Sequence, residues 1–179
     1  MRLIAAALCV LILAGCAVRQ PHGKVTLKGD EAMIVLSTRV DDRCDASVLM
    51  VLMGMEMLRE RDNNLRAYAL QLTNTFLKSD FQDPPGMLYH VKIHAGDLRF
   101  TKLSRTSTRA GFASERELGF RMRIEPGKVY YLGEVYVELG CRDFNIRVSD
   151  QRLRDGALFD ERMTTLNSSM FEYRPLGTE

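Results

Sequence analysis

Much of the chain alternates between apolar and polar positions with a period of two, which is the pattern of half-buried β-strands. The clearest run covers residues 118–124, where every second side chain is apolar and Arg occupies most of the positions between them. Pro126-Gly127 follows as a turn, because Pro fixes φ at the second turn position and Gly accepts a positive φ at the third. Residues 129–139 form another β-rich run, and we predict that the two runs make a hairpin.

Further β-rich runs predict more strands along the chain. Residues 33–40 are mainly apolar, which is typical of a strand buried on both faces. Residues 48–58 fit either a buried helix or a strand, because Met, Leu and Glu favour helices while the alternation around Gly54 favours a strand. We predict a strand there. Shorter candidate strands cover residues 67–72, 89–95, 98–103, 144–148 and 170–174.

One helix is predicted near the C-terminus, at residues 151–164, with Asp150 as its N-cap. Roughly seven to nine short strands separated by turns are typical of an antiparallel β-sandwich. We therefore predict an all-β fold of this kind with one short C-terminal helix. A small closed β-barrel is the alternative architecture.

The N-terminus carries a separate apolar segment. Residues 3–13 are apolar throughout and follow a basic residue, but the run is well short of the ~20 residues that a membrane-spanning helix needs. This arrangement predicts a secretory signal. Residues 13–16, with the sequence LAGC, resemble the bacterial lipobox. A plain signal peptide with an unrelated cysteine is the alternative.

The lipobox resemblance implies cleavage before Cys16, a diacylglycerol on its sulfur and an acyl chain such as palmitate on the new amino group. Ala17 follows, and not the Asp of an inner-membrane retention signal, so the resemblance implies the outer membrane with the body facing the periplasm. We divide the chain into a cleaved signal (residues 1–15), a lipidated N-terminus with a flexible tether (residues 16–29) and a β-sandwich domain (residues 30–179).

Two segments of the body carry a weaker resemblance. They read HVKIHAGDLRF, from residue 90, and FRMRIEPGKVYYLGEV, from residue 120. Over about residues 30–150 the body resembles small envelope lipoproteins with an immunoglobulin-like or transthyretin-like sandwich. Because these segments are patterns of strands and turns, the resemblance implies a fold and supplies no catalytic residue.

The chain has four cysteines. Cys9 leaves with the signal and Cys16 is lipidated in this interpretation, which leaves Cys44 and Cys141 in an oxidising compartment. We predict a disulfide between them, for which the chain-entropy model gives ~4.7 kcal/mol in a loop of about 100 residues. Two buried free thiols and a metal pair are the alternatives, although two cysteines without supporting histidines make a poor zinc site.

The chain is nearly neutral, with 25 basic and 23 acidic residues. This balance excludes a nucleic-acid binder that depends on a strong basic excess. One stretch is locally basic, because no acidic residue lies between Arg99, Lys102, Arg105 and Arg109. We name these four residues as a candidate contact for an anionic surface, with a solvated loop as the alternative.

The sequence contains no Gly-x-Ser-x-Gly elbow, no Gly-x-Gly-x-x-Gly motif, no P-loop and no His-Glu-x-x-His motif. On a strand with ~3.3 Å per residue, His90 and His94 would lie ~13 Å apart, too far to share one metal ion, so we expect two solvated histidines. Asp41, Asp42 and Asp45 lack the spacing of an EF-hand, which favours a solvated turn over a calcium loop.

These features favour a non-enzymatic interaction or structural module in the periplasm, held at the membrane by lipid, with another envelope protein as its candidate partner. The alternative is a binding protein for a lipid or other apolar ligand, with residues 33–58 lining a cavity. A hydrolase that gathers His90 or His94 with carboxylates is a third hypothesis. We expect no cofactor apart from the covalent diacylglycerol and N-acyl chain on Cys16.

Overall fold

Nine β-strands and one α-helix make up the described part of the computed structural model, which covers residues 21–43, 48–74, 79–107, 113–141 and 143–177. In chain order the strands are β1 (Glu31–Asp42), β2 (Val48–Arg59), β3 (Leu65–Asn74), β4 (Gly86–His94), β5 (Gly96–Ser107), β6 (Ala113–Ile124), β7 (Val129–Leu139), β8 (Phe144–Ser149) and β9 (Phe171–Tyr173). Helix α1 (Arg152–Arg162) lies between β8 and β9, and a single 3-10 turn (Ser168–Met170) precedes β9.

The strands form two sheets. The first sheet has the order β4-β1-β7-β8, with β9 also paired to β7, and the second has the order β3-β2-β5-β6. This mostly β architecture of two sheets and one C-terminal helix agrees in outline with the predicted fold class. The sheets are not purely antiparallel, because β7 runs parallel to both β1 and β9. That part of the prediction is wrong.

The turn at Pro126-Gly127 connects the two sheets and does not close a hairpin. β6 pairs with β5 in the second sheet, whereas β7 pairs with β1 in the first. The turn is attached to the start of β1, where Gly127 N donates to Glu31 O and Met33 N donates to Lys128 O. This attachment sets β7 parallel to β1. The predicted hairpin is therefore wrong, although both of its strands are confirmed.

The larger core lies between the sheets. Met53, Met55 and Met57 of β2 alternate inward and are almost fully buried, which confirms a strand at residues 48–58 and excludes the helix. These methionines belong to one apolar cluster with the inward side chains of β1, β5 and β7. The shorter predicted strands are also confirmed, as β3, β4, β5, β8 and β9.

A smaller core lies on the outer face of the first sheet, beneath α1. Met33 of β1 points to this side while its neighbour Ile34 points between the sheets. This arrangement confirms that residues 33–40 form a strand buried on both faces. Phe159 of α1 is fully buried in the smaller core and anchors the helix to the sheet.

Helix α1 confirms the predicted helix but is shorter at both ends than residues 151–164. Gln151 occupies the N-cap position and makes no side-chain capping bond. Asp150, the predicted N-cap, still contacts the first turn, because its Oδ1 accepts a 3.0 Å hydrogen bond from the backbone N of Arg152.

Residues 21–28 are attached to the body, so the predicted flexible tether (residues 16–29) is wrong over this part, and residues 16–20 lie outside the described residues. Gly23 N donates to Arg162 O, and Gly23 O accepts from the backbone N of Thr164. Val25 is buried in the smaller core, and its backbone N donates to Thr165 Oγ1 at 2.9 Å. Although this segment is mostly polar, the buried Val25 and the backbone hydrogen bonds of Gly23 fix it beside α1.

Candidate interaction surfaces

The outer faces of the two sheets differ. Helix α1 and residues 21–28 lie on the first sheet and cover the smaller core. The second sheet exposes large apolar side chains on its outer face, where Leu65 is 59% exposed and Leu58 is 36% exposed. The second sheet therefore presents an open face on the side away from α1.

We use the name Leu–Arg face for the surface formed by Leu58, Leu65, Arg99 and Arg121. Leu58 of β2 lies directly opposite Leu65 of β3, and Arg99 of β5 lies directly opposite Arg121 of β6. Glu56 of β2 is the neighbour of Arg99 on its other side. All five residues border a shallow depression of about 430 Å³. A surface that combines exposed leucines with exposed cations can bind a partner through both apolar burial and charge.

The two arginines of the Leu–Arg face are both exposed, and neither forms an ion pair with another described residue. The neighbouring Arg123, by contrast, is paired with Glu60 at 2.8 Å and with Asp97 at 3.0 Å. Like charges directly opposite each other on adjacent strands are destabilising. The juxtaposition of Arg99 and Arg121 therefore favours binding of an anionic group at this face.

The fold separates the residues of the predicted anionic-surface contact. Arg99 lies on the Leu–Arg face. Lys102 forms an ion pair with Glu115 at 2.7 Å, and this hydrogen bond raises the pKa of Lys102. Arg109 lies outside the described residues. Of this stretch, Arg99 is exposed and forms no ion pair with a described residue, whereas Lys102 is partly exposed and paired.

Arg105 is a correction to that prediction, because its side chain is only 1% exposed. Its Nη1 donates to Gly140 O at 2.6 Å and its Nη2 lies 3.4 Å from Cys141 O. The cause is a register shift of β5 after Phe100. Strict alternation from Phe100 would turn even-numbered side chains inward, but after the shift Leu103 and Arg105 face inward instead. Arg105 thus connects the second sheet to the β7–β8 turn of the first.

The predicted lipidation site and one half of the predicted disulfide, Cys16 and Cys44, lie outside the described residues. Cys141 is disulfide-bonded. The parallel pairing of β1 with β7 continues to Asp42 opposite Leu139. Because Cys44 lies outside the described residues, the Cys44–Cys141 pairing stays a prediction.

His90 and His94 have different environments. His90 is fully buried, with Nε2 2.7 Å from the backbone oxygen of Pro21, and burial lowers its pKa to about 4. His94 is half-buried, with Nδ1 3.2 Å from Asp30 Oδ2. The expectation of two solvated histidines is wrong for His90, because residues 21–28 cover it. Across the described ranges, no three His, Cys, Asp or Glu side chains come together as a metal site.

The aspartates at the end of β1 are placed only in part. Asp41 forms an ion pair with Arg43 at 2.9 Å and Asp42 is exposed, while Asp45 lies outside the described residues. The described aspartates of this cluster lie at the charged end of β1.

A buried polar cluster joins α1 to the first sheet. The Asp155 carboxylate accepts hydrogen bonds from Ser37 Oγ at 2.5 Å and Tyr131 OH at 2.6 Å, and from Arg154 Nε at 2.8 Å. Burial, followed by the bond to Asp155, raises the pKa of the Tyr131 phenol. Arg154 also reaches Glu134 at 2.7 Å. Because Asp155 is fully buried, this cluster fixes the helix to the sheet and does not form an open site.

In the described part of residues 33–58, Ile34 and Met53 are fully buried in the core, while Glu56 and Leu58 border the depression of the Leu–Arg face. Half-buried apolar side chains gather elsewhere, between β6, β8 and the segment after β9. We call this region the β6–β8 groove, formed by Leu118, Phe120, Met122, Ile146, Val148 and Leu176. Two adjoining cavities of about 560 and 420 Å³ lie along it.

Comparison with known proteins gives no relative. No family model, no curated protein and no solved structure matches the chain. Among the described residues, α1 is the longest helix, and it is too short and too polar to cross a membrane.

Proposed function

We propose that the protein is a lipid-anchored protein of the bacterial outer membrane that acts as a non-enzymatic interaction module in the periplasm. The observation that carries this proposal is the Leu–Arg face, where two exposed leucines adjoin two exposed arginines on the open outer face of the second sheet. Its partner would be another envelope protein, with acidic side chains opposite the arginines and an apolar residue over the leucines.

The attachment of residues 21–28 indicates how the domain would be oriented on the membrane. If acyl chains are bound at Cys16, the five residues that lead to Pro21 can span at most about 18 Å at ~3.6 Å per residue. Pro21 is held at the first sheet by His90. The first sheet would therefore face the bilayer, and the Leu–Arg face would point into the periplasm.

Photo-crosslinking in the native envelope tests the proposal. A photoreactive amino acid is placed at Leu65, on the Leu–Arg face, or at Leu153, which is 95% exposed on α1 and on the opposite side. We expect a discrete crosslinked protein from position 65 and none from position 153. No adduct at 65, or the same adducts from both positions, would show that this face is not the interaction site.

The charge requirement is tested in the same assay. Arg99→Glu and Arg121→Glu should each abolish the adduct formed from position 65, because an acidic partner would then be repelled. Arg66→Glu is the matched control, since Arg66 is also an exposed arginine of the second sheet, on β3. An adduct that survives both reversals would contradict an acidic partner.

A further inference from the structure

The two long sides of the β-sandwich differ in how closely the sheets approach each other. On one side the backbone of β3 comes close to β1 and β4. On the other side β6 and β8 approach each other less closely, and the β6–β8 groove lies between them. The segment after β9 lies at the middle of the groove, where Gly177 contacts the ring of Phe120.

Apolar side chains form the inner wall of the groove, and charged side chains border it. Its side chains from β6 and β8 pack against the larger core and remain half-buried, so they keep apolar surface available to a ligand. The two cavities share Phe120, Leu176 and Gly177, and each has a volume within the range of ligand-binding pockets, roughly 300–1,000 Å³. The groove is therefore long and divided, a shape that suits a chain better than a compact ring.

The edge of β6 favours a small ligand over an added β-strand. The pairing of β5 with β6 shifts by one residue between Phe100 and Lys102, and Gly119 has a φ of 70°. A β-bulge of this kind interrupts the hydrogen-bonding edge and bends the strand. Such an edge is a poor template for a peptide strand.

The rim of the groove carries four arginines and one carboxylate, Glu117. Arg123 and Arg174 are engaged with acidic residues, and Arg116 Nη1 donates to Phe144 O at 3.1 Å. Arg121 also borders the groove and forms no ion pair with a described residue. A carboxylate or phosphate is the natural complement of this guanidinium.

We propose that the β6–β8 groove binds one acyl chain of an anionic amphiphile, with the head group paired to Arg121. The head group is a carboxylate, as in a fatty acid, or a phosphate, as in a lysophospholipid. The site is distinct from the lipid predicted at Cys16, and it lies between β6 and β8 instead of along residues 33–58.

Photolabelling of the full chain in its own membranes tests the proposal. The probe is palmitic acid with a diazirine in its chain, and labelled peptides are mapped by mass spectrometry. We expect label on residues 118–122 or 146–148. Excess palmitic acid or lysophosphatidylglycerol should compete and hexadecanol should not, and the stronger competitor identifies carboxylate or phosphate as the head group. Label confined to other surfaces, or equal competition by hexadecanol, would overturn the proposal.

Variants distinguish a specific binding site from nonspecific photolabelling. Val148→Trp should fill the groove and remove the label while the far-ultraviolet circular dichroism stays unchanged; if that variant does not accumulate, Ile146→Trp makes the same test. Arg121→Glu should weaken labelling about tenfold, the loss of one charge-assisted bond. Arg66→Glu should label like the wild type. Equal labelling of the Trp variant and the wild type, or adducts only between two copies of the chain, would overturn the assignment.

Discussion

The phenol of Tyr131 on β7 donates a 2.6 Å hydrogen bond to the Asp155 carboxylate on α1, and both residues are fully buried. We expect Tyr131→Phe to lower the free energy of unfolding by about 1–2 kcal/mol, since it removes one of the three donors to a buried charge. Asp155→Ala should cost more, about 3–5 kcal/mol, because it leaves the buried Ser37 and Tyr131 hydroxyls without their acceptor and removes one of the two carboxylates paired with Arg154. Urea denaturation followed by circular dichroism measures both.

Tyr136→Phe is the matched control for this prediction. The Tyr136 hydroxyl lies 3.4 Å from Asp41 Oδ2 and is only half-buried, so its removal should change stability by less than about 0.5 kcal/mol. If Tyr131→Phe and Tyr136→Phe were equally stable, the buried cluster would not hold the helix to the sheet.

The buried imidazole of His90 makes stability depend on pH. Burial lowers the pKa of His90 in the folded protein to about 4, below its ordinary value of 6.5, so protons bind the unfolded chain more readily. The contribution is fully present above about pH 6.5 and is lost as the pH falls towards 4. His90→Gln keeps a donor for Pro21 O but cannot titrate. We expect the difference between the unfolding free energies of wild type and variant to shrink as the pH falls from 7 to 4. A difference that stays constant over this range would contradict this assignment.

The predicted Cys44–Cys141 bridge can be measured directly. Cys141→Ser should lower the unfolding free energy by about 2–4 kcal/mol under oxidising conditions. Dithiothreitol should bring the wild type to the same stability and leave the variant unchanged. Titration of the denatured, unreduced wild type that found both thiols free would rule the bridge out.

Lipid attachment at Cys16 is a separate prediction. Cys16→Ser should lose metabolic labelling by alkyne palmitate and should leave the membrane fraction, because the acyl chains supply the anchoring free energy at about 0.8 kcal/mol per buried CH₂. Cys141→Ser is the control and should stay labelled and membrane-bound. A Cys16→Ser protein that still sediments with outer membranes would show that another contact holds it there.

The strands were predictable from sequence because burial on one face imposes a period of two that any pairing preserves. Their partners were not. The runs at residues 118–124 and 129–139 are separated by only a turn, yet they enter different sheets, because Gly127 and Lys128 bond to the start of β1. Local alternation carries no information about such a long-range attachment.

In the candidate sites, too, the sequence predicts local properties of a residue but not which residues lie next to it. Arg121 was an outward position of an alternating run, which was the available clue, but its juxtaposition with Arg99 depends on the register of β5 against β6. Sequence alone predicts Arg105 at the surface. The register shift in β5 that turns its side chain inward cannot be read from the residue types. His90 was expected to be solvated because nothing in residues 21–28 indicated that they cover it.

The last prediction separates binding from folding at the Leu–Arg face. Arg99 and Arg121 lie directly opposite each other without an ion pair to another described residue, so the free protein carries a repulsion that a bound anion would relieve. Arg121→Glu replaces that repulsion with an attraction and should raise the unfolding free energy by about 0.2–1 kcal/mol. The gain should shrink at high salt, since exposed charges are screened.

Two variants complete the argument. Arg99→Glu should stabilise less, because it places a second carboxylate beside Glu56 on the neighbouring strand. The double reversal Arg99→Glu with Arg121→Glu restores like charges and should lose the gain. A protein that becomes more stable while it loses its crosslinked partner would show that the arginines serve binding at the expense of stability. A fall in stability for Arg121→Glu at low salt would mean that this arginine supports the fold itself.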